Sequence, residues 1–116
     1  MGTRQPFEEV SGMDRLIHDP SRLSILTALA SCRSADFLFL QSLTGLTKGN
    51  LSNHLGKLEQ GGLVTIEKSF RGKVPHTVLA LSAQGRKVII AHWKWLGQVS
   101  RAVDAWTNAL LTPAEE

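Results

Sequence analysis

The side chains best suited to hydrogen bonding with a partner lie on one face of the segment between Thr47 and Gln60. Asn50 and Asn53 carry amides that can donate and accept at the same time, and Ser52 adds a hydroxyl. On a helix this face lies opposite a narrow apolar stripe and is rich in small and polar residues with almost no acid: Gly49, Asn50, Ser52, Asn53, Gly56, Lys57 and Gln60. Two hydrogen bonds from one amide can identify the edge of a nucleic-acid base, so the face is suited to reading a polar surface at close range.

The alternative is that these residues are polar only because they are exposed. Their intrinsic helix propensity argues against it, since Gly, Asn and Ser each cost a few tenths to about 1 kcal/mol relative to Ala in a helix. A helix selected for stability alone would rarely combine so many of them. The composition therefore favours contact with a partner over simple exposure.

Positive charge is concentrated in the same part of the chain. The formal net charge is +3, and residues 47–76 contain five basic and two acidic side chains, whereas the other residues contain eight of each. Lys57, Arg71 and Lys73 are therefore candidates to bind phosphate, and Gly72 lets the backbone bend between the last two. A solvated basic surface would have the same charge, so the charge alone does not decide between the two interpretations.

Patterns for catalysis and metal binding are absent from the sequence. It has no G-x-S-x-G, H-E-x-x-H, P-loop or G-x-G-x-x-G motif, and Ser52 and His54, two residues apart on a helix, point away from each other. Cys32 is the single cysteine, and His92 has no second histidine three or four residues away. We therefore expect no enzyme activity, no metal and no cofactor.

The expected setting is the cytoplasm. A single cysteine suits a reducing compartment, because it cannot form an internal disulfide. No apolar run approaches the roughly 18 to 20 residues of a membrane span, and the N-terminus has no apolar signal core. No membrane contact is expected.

Length and composition predict one globular domain, since the 116 residues are 42% hydrophobic and 20% charged. We interpret residues 1–12 as a flexible polar leader and 13–116 as the domain. Apolar spacing predicts helices over 13–17, about 20–32 and 37–43. Three residues of the third helix are expected to turn inward: Phe37, Leu40 and Leu43.

The polar-faced segment is predicted to form the next helix, from Thr47 to about Gln60. Its apolar stripe consists of Leu51, Leu55 and Leu58. Gly61-Gly62 then ends the helix, because glycine permits a left-handed C-terminal cap. Side-chain caps are expected at the start of four helices: Asp19, Asp36, Thr47 and Ser82.

A polar break at 33–35 separates the second and third predicted helices. From Leu63, after the polar-faced helix, the apolar period changes from 3.6 to 2 residues, which predicts a two-stranded hairpin. Its loop, about residues 70–75, is longer than a tight turn. A long final helix follows over 83–112, with an apolar stripe of about three heptads: Ile89, Trp93, Leu96, Val103, Trp106 and Leu110. One small domain has little core left to cover that stripe, so a second copy of the chain is expected to cover it.

The segment 46–64 resembles the recognition helix of winged-helix transcriptional regulators of the ArsR and MarR type. In that family a capping Ser or Thr, a polar triplet, an apolar residue, Ser, a variable residue, His-Leu and a closing Leu-x-x-x-Gly-Leu-Val recur in this order. Pro75-His76-Thr77 and the residues 81–86 are similar to the wing exit and the start of the final helix. The resemblance covers about 16–96. It implies a mainly α fold with a small β-hairpin (α+β), a winged helix-turn-helix with a three-helix core, a wing and a long C-terminal dimerisation helix.

The resemblance also implies a function: sequence-specific binding of double-stranded DNA by a homodimer that regulates transcription. The recognition helix, about 47–60, would enter the major groove, and the wing, about 70–75, would lie on the backbone or in the minor groove. The predicted DNA contacts are Thr47, Lys48, Gly49, Asn50, Ser52, Asn53, His54, Lys57, Arg71, Lys73 and His76. Two roles stay open for His54, which either donates to a phosphate or braces the turn.

Two alternatives remain at the level of sequence. The chain could be a winged-helix protein-interaction module with only non-specific DNA affinity, although such a module would present apolar or aromatic residues where Gly49, Asn50 and Asn53 stand. The three tryptophans could line a pocket for an unknown small-molecule effector, but aromatic stripes are more often core.

Overall fold

The computed structural model describes residues 15–111. Its elements follow in chain order: a 3-10 turn at Arg15–Ile17, helix α1 at Pro20–Ala30, strand β1 at Ala35–Asp36, helix α2 at Phe37–Thr44, helix α3 at Lys48–Gln60, strand β2 at Val64–Arg71, strand β3 at Val74–Leu81 and helix α4 at Ala83–Leu111. This order confirms the predicted α+β winged helix-turn-helix. The predicted leader at 1–12 and the residues after 111 lie outside the described part of the chain.

Polar side chains begin the helices as predicted. Asp19 Oδ1 accepts from the backbone N–H of Ser21 at 2.8 Å, and Pro20 occupies the first turn of α1. The other three caps make one such hydrogen bond each. Asp36 accepts from the N–H of Phe39 at 2.7 Å, Thr47 from that of Asn50 at 3.2 Å, and Ser82 from that of Gly85 at 2.9 Å.

The end of α3 is a Schellman cap. The N–H of Gly62 donates to Glu59 O at 2.9 Å, and the N–H of Leu63 donates to Leu58 O at 2.9 Å. Gly62 has a φ of 77° and provides the predicted left-handed residue, whereas Gly61 stays right-handed at −78°. The chain therefore turns directly from the helix into β2.

The sheet has three strands, in the order β1-β3-β2, instead of the predicted two. The third strand is the short β1, whose Ala35 pairs with Leu79 and whose Asp36 pairs with Val78. The predicted polar break at 33–35 thus includes the first residue of a strand, which the sequence did not reveal because a strand of two residues has no detectable alternation. Strand β1 anchors the start of α2 to the hairpin.

The wing is a tight hairpin, so the predicted loop at 70–75 was too long. Phe70 pairs with Pro75 and Arg71 pairs with Val74, which leaves Gly72-Lys73 as a two-residue turn. Gly72 has a φ of 65°, the sign that the first residue of a type II′ turn requires.

The core lies between the three short helices, the inner face of the sheet and the start of α4. Its fully buried side chains are Ile25, Leu26, Leu29, Leu40, Leu51, Leu58, Leu63, Leu79 and Ile89. The predicted apolar stripe of α3 is confirmed, since Leu51, Leu55 and Leu58 are at most 2% exposed. Leu43 was wrongly predicted to turn inward and is 55% exposed, because α2 packs through the stripe 37–40–41–44 and Leu43 lies outside it.

Helix α4 begins on the core. A Cβ at Gly85 would collide with the carbonyl of Leu63, so the helix approaches the sheet where only glycine fits. Further along, the Trp93 indole N–H donates to Thr27 Oγ1 on α1 at 2.9 Å. The last part of α4 then leaves the domain, since every residue from Ser100 to Leu111 is exposed. The molecule is elongated accordingly, at 76 × 34 × 23 Å.

Candidate nucleic-acid interface

Helix α3 presents the predicted polar face to solvent. Its buried stripe packs on the domain, and the residues on the outward side are exposed: Lys48, Gly49, Asn50, Ser52, Asn53 and Lys57. Neither the Asn50 nor the Asn53 amide forms a hydrogen bond with another described residue. Both amides are therefore available to a partner.

The two glycines within α3 have no role in packing. A Cβ added at Gly49 or at Gly56 would meet nothing within 4 Å, and neither residue has a positive φ. Gly85 shows the contrast, because packing against Leu63 excludes a side chain there. Since glycine weakens a helix by about 0.5–1 kcal/mol relative to Ala, its presence at 49 and 56 suits close approach of something outside the chain.

The turn between α2 and α3 fixes how the polar face is presented. Gly45 is left-handed, with a φ of 70°, and its N–H donates to Gln41 O at 2.9 Å. Thr47 then caps α3 from an extended conformation and is itself exposed. The Thr47 cap takes the N–H of Asn50, and the other N–H groups of the first turn have no partner within the helix. They lie at an exposed helix end, an arrangement that attracts anions.

His54 connects α3 with α1, a contact outside its two predicted roles of binding phosphate or bracing the turn. The Arg22 Nε–H donates to His54 Nδ1 at 3.2 Å, and a second guanidinium nitrogen donates to Leu16 O at 3.4 Å. His54 is half-buried, and its contact with phosphate stays a prediction.

The carboxylate of Asp19 lies near the same contact. Desolvation raises the pKa of this carboxyl, but hydrogen bonds from the backbone N–H groups of Arg22 and Ser21 and the nearby charges of His54 and Arg22 outweigh it. The net pKa is below its ordinary value of 3.8. Asp19 therefore stays ionised and holds the start of α1 in place.

A groove of about 890 Å³ separates α3 from the wing. Lys48, Ser52 and Gly56 line it from α3, and Lys68 and Ile66 line it from β2. Further lining residues come from the start of α2 and from β3, including the predicted contact His76, together with the carboxylates of Asp36 and Glu59. The groove brings part of α3 and part of the wing onto one surface.

The cations of the wing stand at its tip. Arg71 precedes the turn, Lys73 is its second residue, and both are exposed, whereas His76 is half-buried on β3. Sequence reasoning counted Lys68 in the charge but did not assign it to the site. The alternation Ile66, Lys68, Phe70 along β2 is the signal that would have found it, because these residues share one side of the strand.

Five of the six residues predicted for dimerisation are exposed on α4. The exposed fractions are 43% for Trp93, 36% for Leu96, 51% for Val103, 69% for Trp106 and 65% for Leu110. Ile89 is fully buried in the core of the chain itself, so it offers no surface to a partner.

Residues 15–111 contain neither a cluster of metal-binding side chains nor a membrane-spanning helix. Within residues 15–111 no three His, Cys, Asp or Glu side chains are grouped so as to hold a metal ion. Burial and the charge of His18 lower the pKa of His92, whose ring nitrogens have no hydrogen-bond partner in this range. None of the helices described is long and apolar enough to cross a membrane.

The fold and the exposed helix face agree with the comparison to known families. A winged helix DNA-binding domain model matches residues 21–99, which is more than half of the chain. The chain therefore belongs to the winged helix DNA-binding domain family, a family of DNA-binding regulators and not of enzymes. The predicted resemblance to winged-helix transcriptional regulators is confirmed.

Particular relatives extend over most of the chain. An uncharacterized protein of Methanocaldococcus jannaschii, MJ0432, is 34% identical over 73 residues, which are 62% of this chain and 78% of that protein. A transcriptional regulator homologue from Pyrococcus horikoshii is similar in structure with a TM-score of 0.79 and 29% identity, over 87% of this chain and 99% of that one. NadR in complex with 4-hydroxyphenylacetate shares the fold, with a TM-score of 0.63 and 19% identity over 92% and 86% of the two chains.

Proposed function

We propose that the protein regulates transcription as a homodimer that binds double-stranded DNA at specific sequences. One observation carries the proposal: the outward face of α3 consists of unpaired amides, a hydroxyl and two glycines that the fold does not require. Such a face suits the major groove, where a helix fits and where an amide can form two hydrogen bonds with adenine. The regulatory role is supported by the similarity to the Pyrococcus regulator homologue.

The roles of the individual contacts follow from their chemistry. Asn50 and Asn53 are three residues apart on α3, so both face the groove and can bond to base edges. Lys57, Arg71 and Lys73 bind phosphates, which gives affinity and orientation without sequence information. The remaining predicted contacts border these two groups: Thr47, Lys48, Gly49, Ser52, His54 and His76.

The exposed stripe of α4 supports a homodimer. Its exposed stripe lies on the part of the helix that leaves the domain, where Val103, Trp106 and Leu110 have no cover among residues 15–111. Pairing two such stripes buries them and relates two recognition helices by a two-fold axis. The helices then meet successive major grooves about 34–36 Å apart, so the preferred site should be two-fold symmetric.

The experiment is selection of binding sites from a randomised duplex library, followed by titration of the best site between 50 and 200 mM salt. We expect a two-fold symmetric sequence to be enriched, and its affinity to fall about a thousandfold or more across this range if a dimer neutralises roughly six to eight phosphates. Weak binding without any enriched sequence would overturn the proposal.

That negative outcome would favour a second candidate, the protein-interaction module. The observation in its favour is an exposed apolar surface on α2, where Leu38 is 75%, Phe39 52% and Leu43 55% exposed. The binding-site selection does not address a small-molecule effector. The structure of NadR contains 4-hydroxyphenylacetate, and an effector of this chain stays a prediction.

A further inference from the structure

The tip of the wing carries an exposed aromatic ring as well as cations. Phe70 is 72% exposed, although it pairs with Pro75 across the hairpin. Its neighbours at the turn are Arg71 and Lys73. A large apolar side chain that is mostly in water beside two cations contributes little to the core, which indicates that something outside the domain covers it.

Phe70 lies on the side of the wing that faces the recognition helix. Side chains alternate along β2, so Ile66, Lys68 and Phe70 share one side of the strand. The first two of these line the groove together with residues of α3, whereas the intervening Glu67 and Ser69 do not. Phe70 therefore continues that surface outward, and Arg71 falls on the other side of the strand.

The ring also stands well clear of the core. Ile66 is the last residue of β2 that packs against the core, and from Thr65 to Arg71 it is the only one not exposed. At a rise of about 3.4 Å per residue, Phe70 is displaced roughly 14 Å beyond it along the strand. The minor groove of DNA is about 6 Å wide and 7.5 Å deep, so a hairpin tip at this distance can bring a side chain to its floor.

We propose that Phe70, with Pro75 beside it, is an apolar wedge that enters the minor groove between two base pairs and bends the DNA. The inference rests on the proposed function and adds to it a deformation of the bound site. The partner is assigned from the charge of the wing: Lys68 lies on the same side of β2 as the ring, and Arg71 and Lys73 follow the ring at the turn. These three cations attract phosphates and outnumber Glu67, the one carboxylate of β2. Apolar side chains inserted between base steps unstack them and kink the duplex toward the major groove.

The experiment measures the bend and the affinity of a selected duplex of about 40 base pairs that carries a fluorophore at each end. We expect energy transfer to report a bend of about 20–90° with the wild-type protein. Phe70→Ala should reduce the bend by at least half and weaken binding about ten- to a hundredfold, since stacking on a base is lost. The ring is exposed, so this variant should fold as the wild type does.

Two further variants separate the wedge from the charge. Phe70→Leu keeps an apolar wedge and should keep most of the bend. Lys73→Ala removes only a phosphate contact, so it should weaken binding while the bend stays unchanged. A duplex with a single-nucleotide gap at the wedged step is already flexible, and on it Phe70→Ala should bind within about threefold of the wild type.

Specific binding to a straight duplex, or an unchanged bend in Phe70→Ala, would overturn the wedge and leave the proposed function standing. If no sequence is enriched, the proposed function fails first and the wedge fails with it. An anionic membrane is the other partner that suits an exposed ring beside cations, and vesicles that contain phosphatidylserine test it. Binding to them that Phe70→Ala abolishes, with the DNA bend unaffected, would make the tip a membrane contact and overturn the inference.

Discussion

Individual side chains divide into those that carry sequence information and those that carry only affinity. Asn50 is exposed and its amide is unpaired within the described residues, so Asn50→Ala should cost about 1–3 kcal/mol on the selected site and little on random DNA. Lys73→Ala should weaken both by the same factor and, because a dimer loses one phosphate contact per protomer, reduce the salt slope by about two. Equilibrium titrations of both variants on both duplexes measure this, and an equal loss for Asn50→Ala on random DNA would exclude base reading at that position.

A second residue-scale prediction concerns the ionised cap of α1. The pKa of Asp19 is below its ordinary value of 3.8, so the carboxylate stabilises the folded state above that value, and this stability is lost as the pH falls through the folded pKa. Asp19→Asn keeps a capping oxygen but removes the charge. We expect urea unfolding to show the variant less stable than the wild type at pH 7 and the difference to shrink between about pH 5 and 2. A difference that is constant with pH would mean that the charge of Asp19 contributes nothing.

At the scale of elements, α3 contains two glycines that its packing does not require. Gly56→Ala adds a methyl group that meets no atom within 4 Å, and it should raise the free energy of unfolding by about 0.5–1 kcal/mol while weakening DNA binding. Gly85→Ala is the matched control on α4, where the Cβ meets the Leu63 carbonyl and should destabilise the fold by about 1–3 kcal/mol. Denaturant titration gives both values. If Gly56→Ala stabilised the protein without any change in DNA affinity, close approach at this position would be refuted.

How far the sequence predicts an element depends on how many residues carry its pattern. The recognition helix was predictable at both ends, because Thr47, the stripe through Leu58 and the glycine pair each mark it independently. Strand β1 was not predictable, since its two residues are recognised only through pairing with β3. The exposure of Leu43 depends on which side of α2 packs on the rest of the domain, and tertiary packing decides this, not the local sequence. The same holds for the wing, where the pairing of Phe70 with Pro75 outweighs the local preference of Pro for loops.

For the whole molecule, the elongated shape and the exposed second half of α4 lead to one prediction about assembly. Trp106 is 69% exposed on the stripe that residues 15–111 leave uncovered, so a charge there should prevent two stripes from packing together. We expect Trp106→Glu to be monomeric by sedimentation equilibrium at a concentration where the wild type is a dimer. DNA affinity should fall at least a hundredfold, because each monomer then holds a single recognition helix.

Ala105→Glu is the matched control for this assembly. It introduces the same charge one residue away, on an exposed part of α4 that lies off the stripe, and it should leave both the mass and the affinity nearly unchanged. The domain core ends well before this part of the helix, so neither variant should alter the circular dichroism of the fold. A dimer that survives Trp106→Glu would place the interface elsewhere on the chain. The two-fold symmetry of the selected DNA site would then have to come from a different pairing of the same domain.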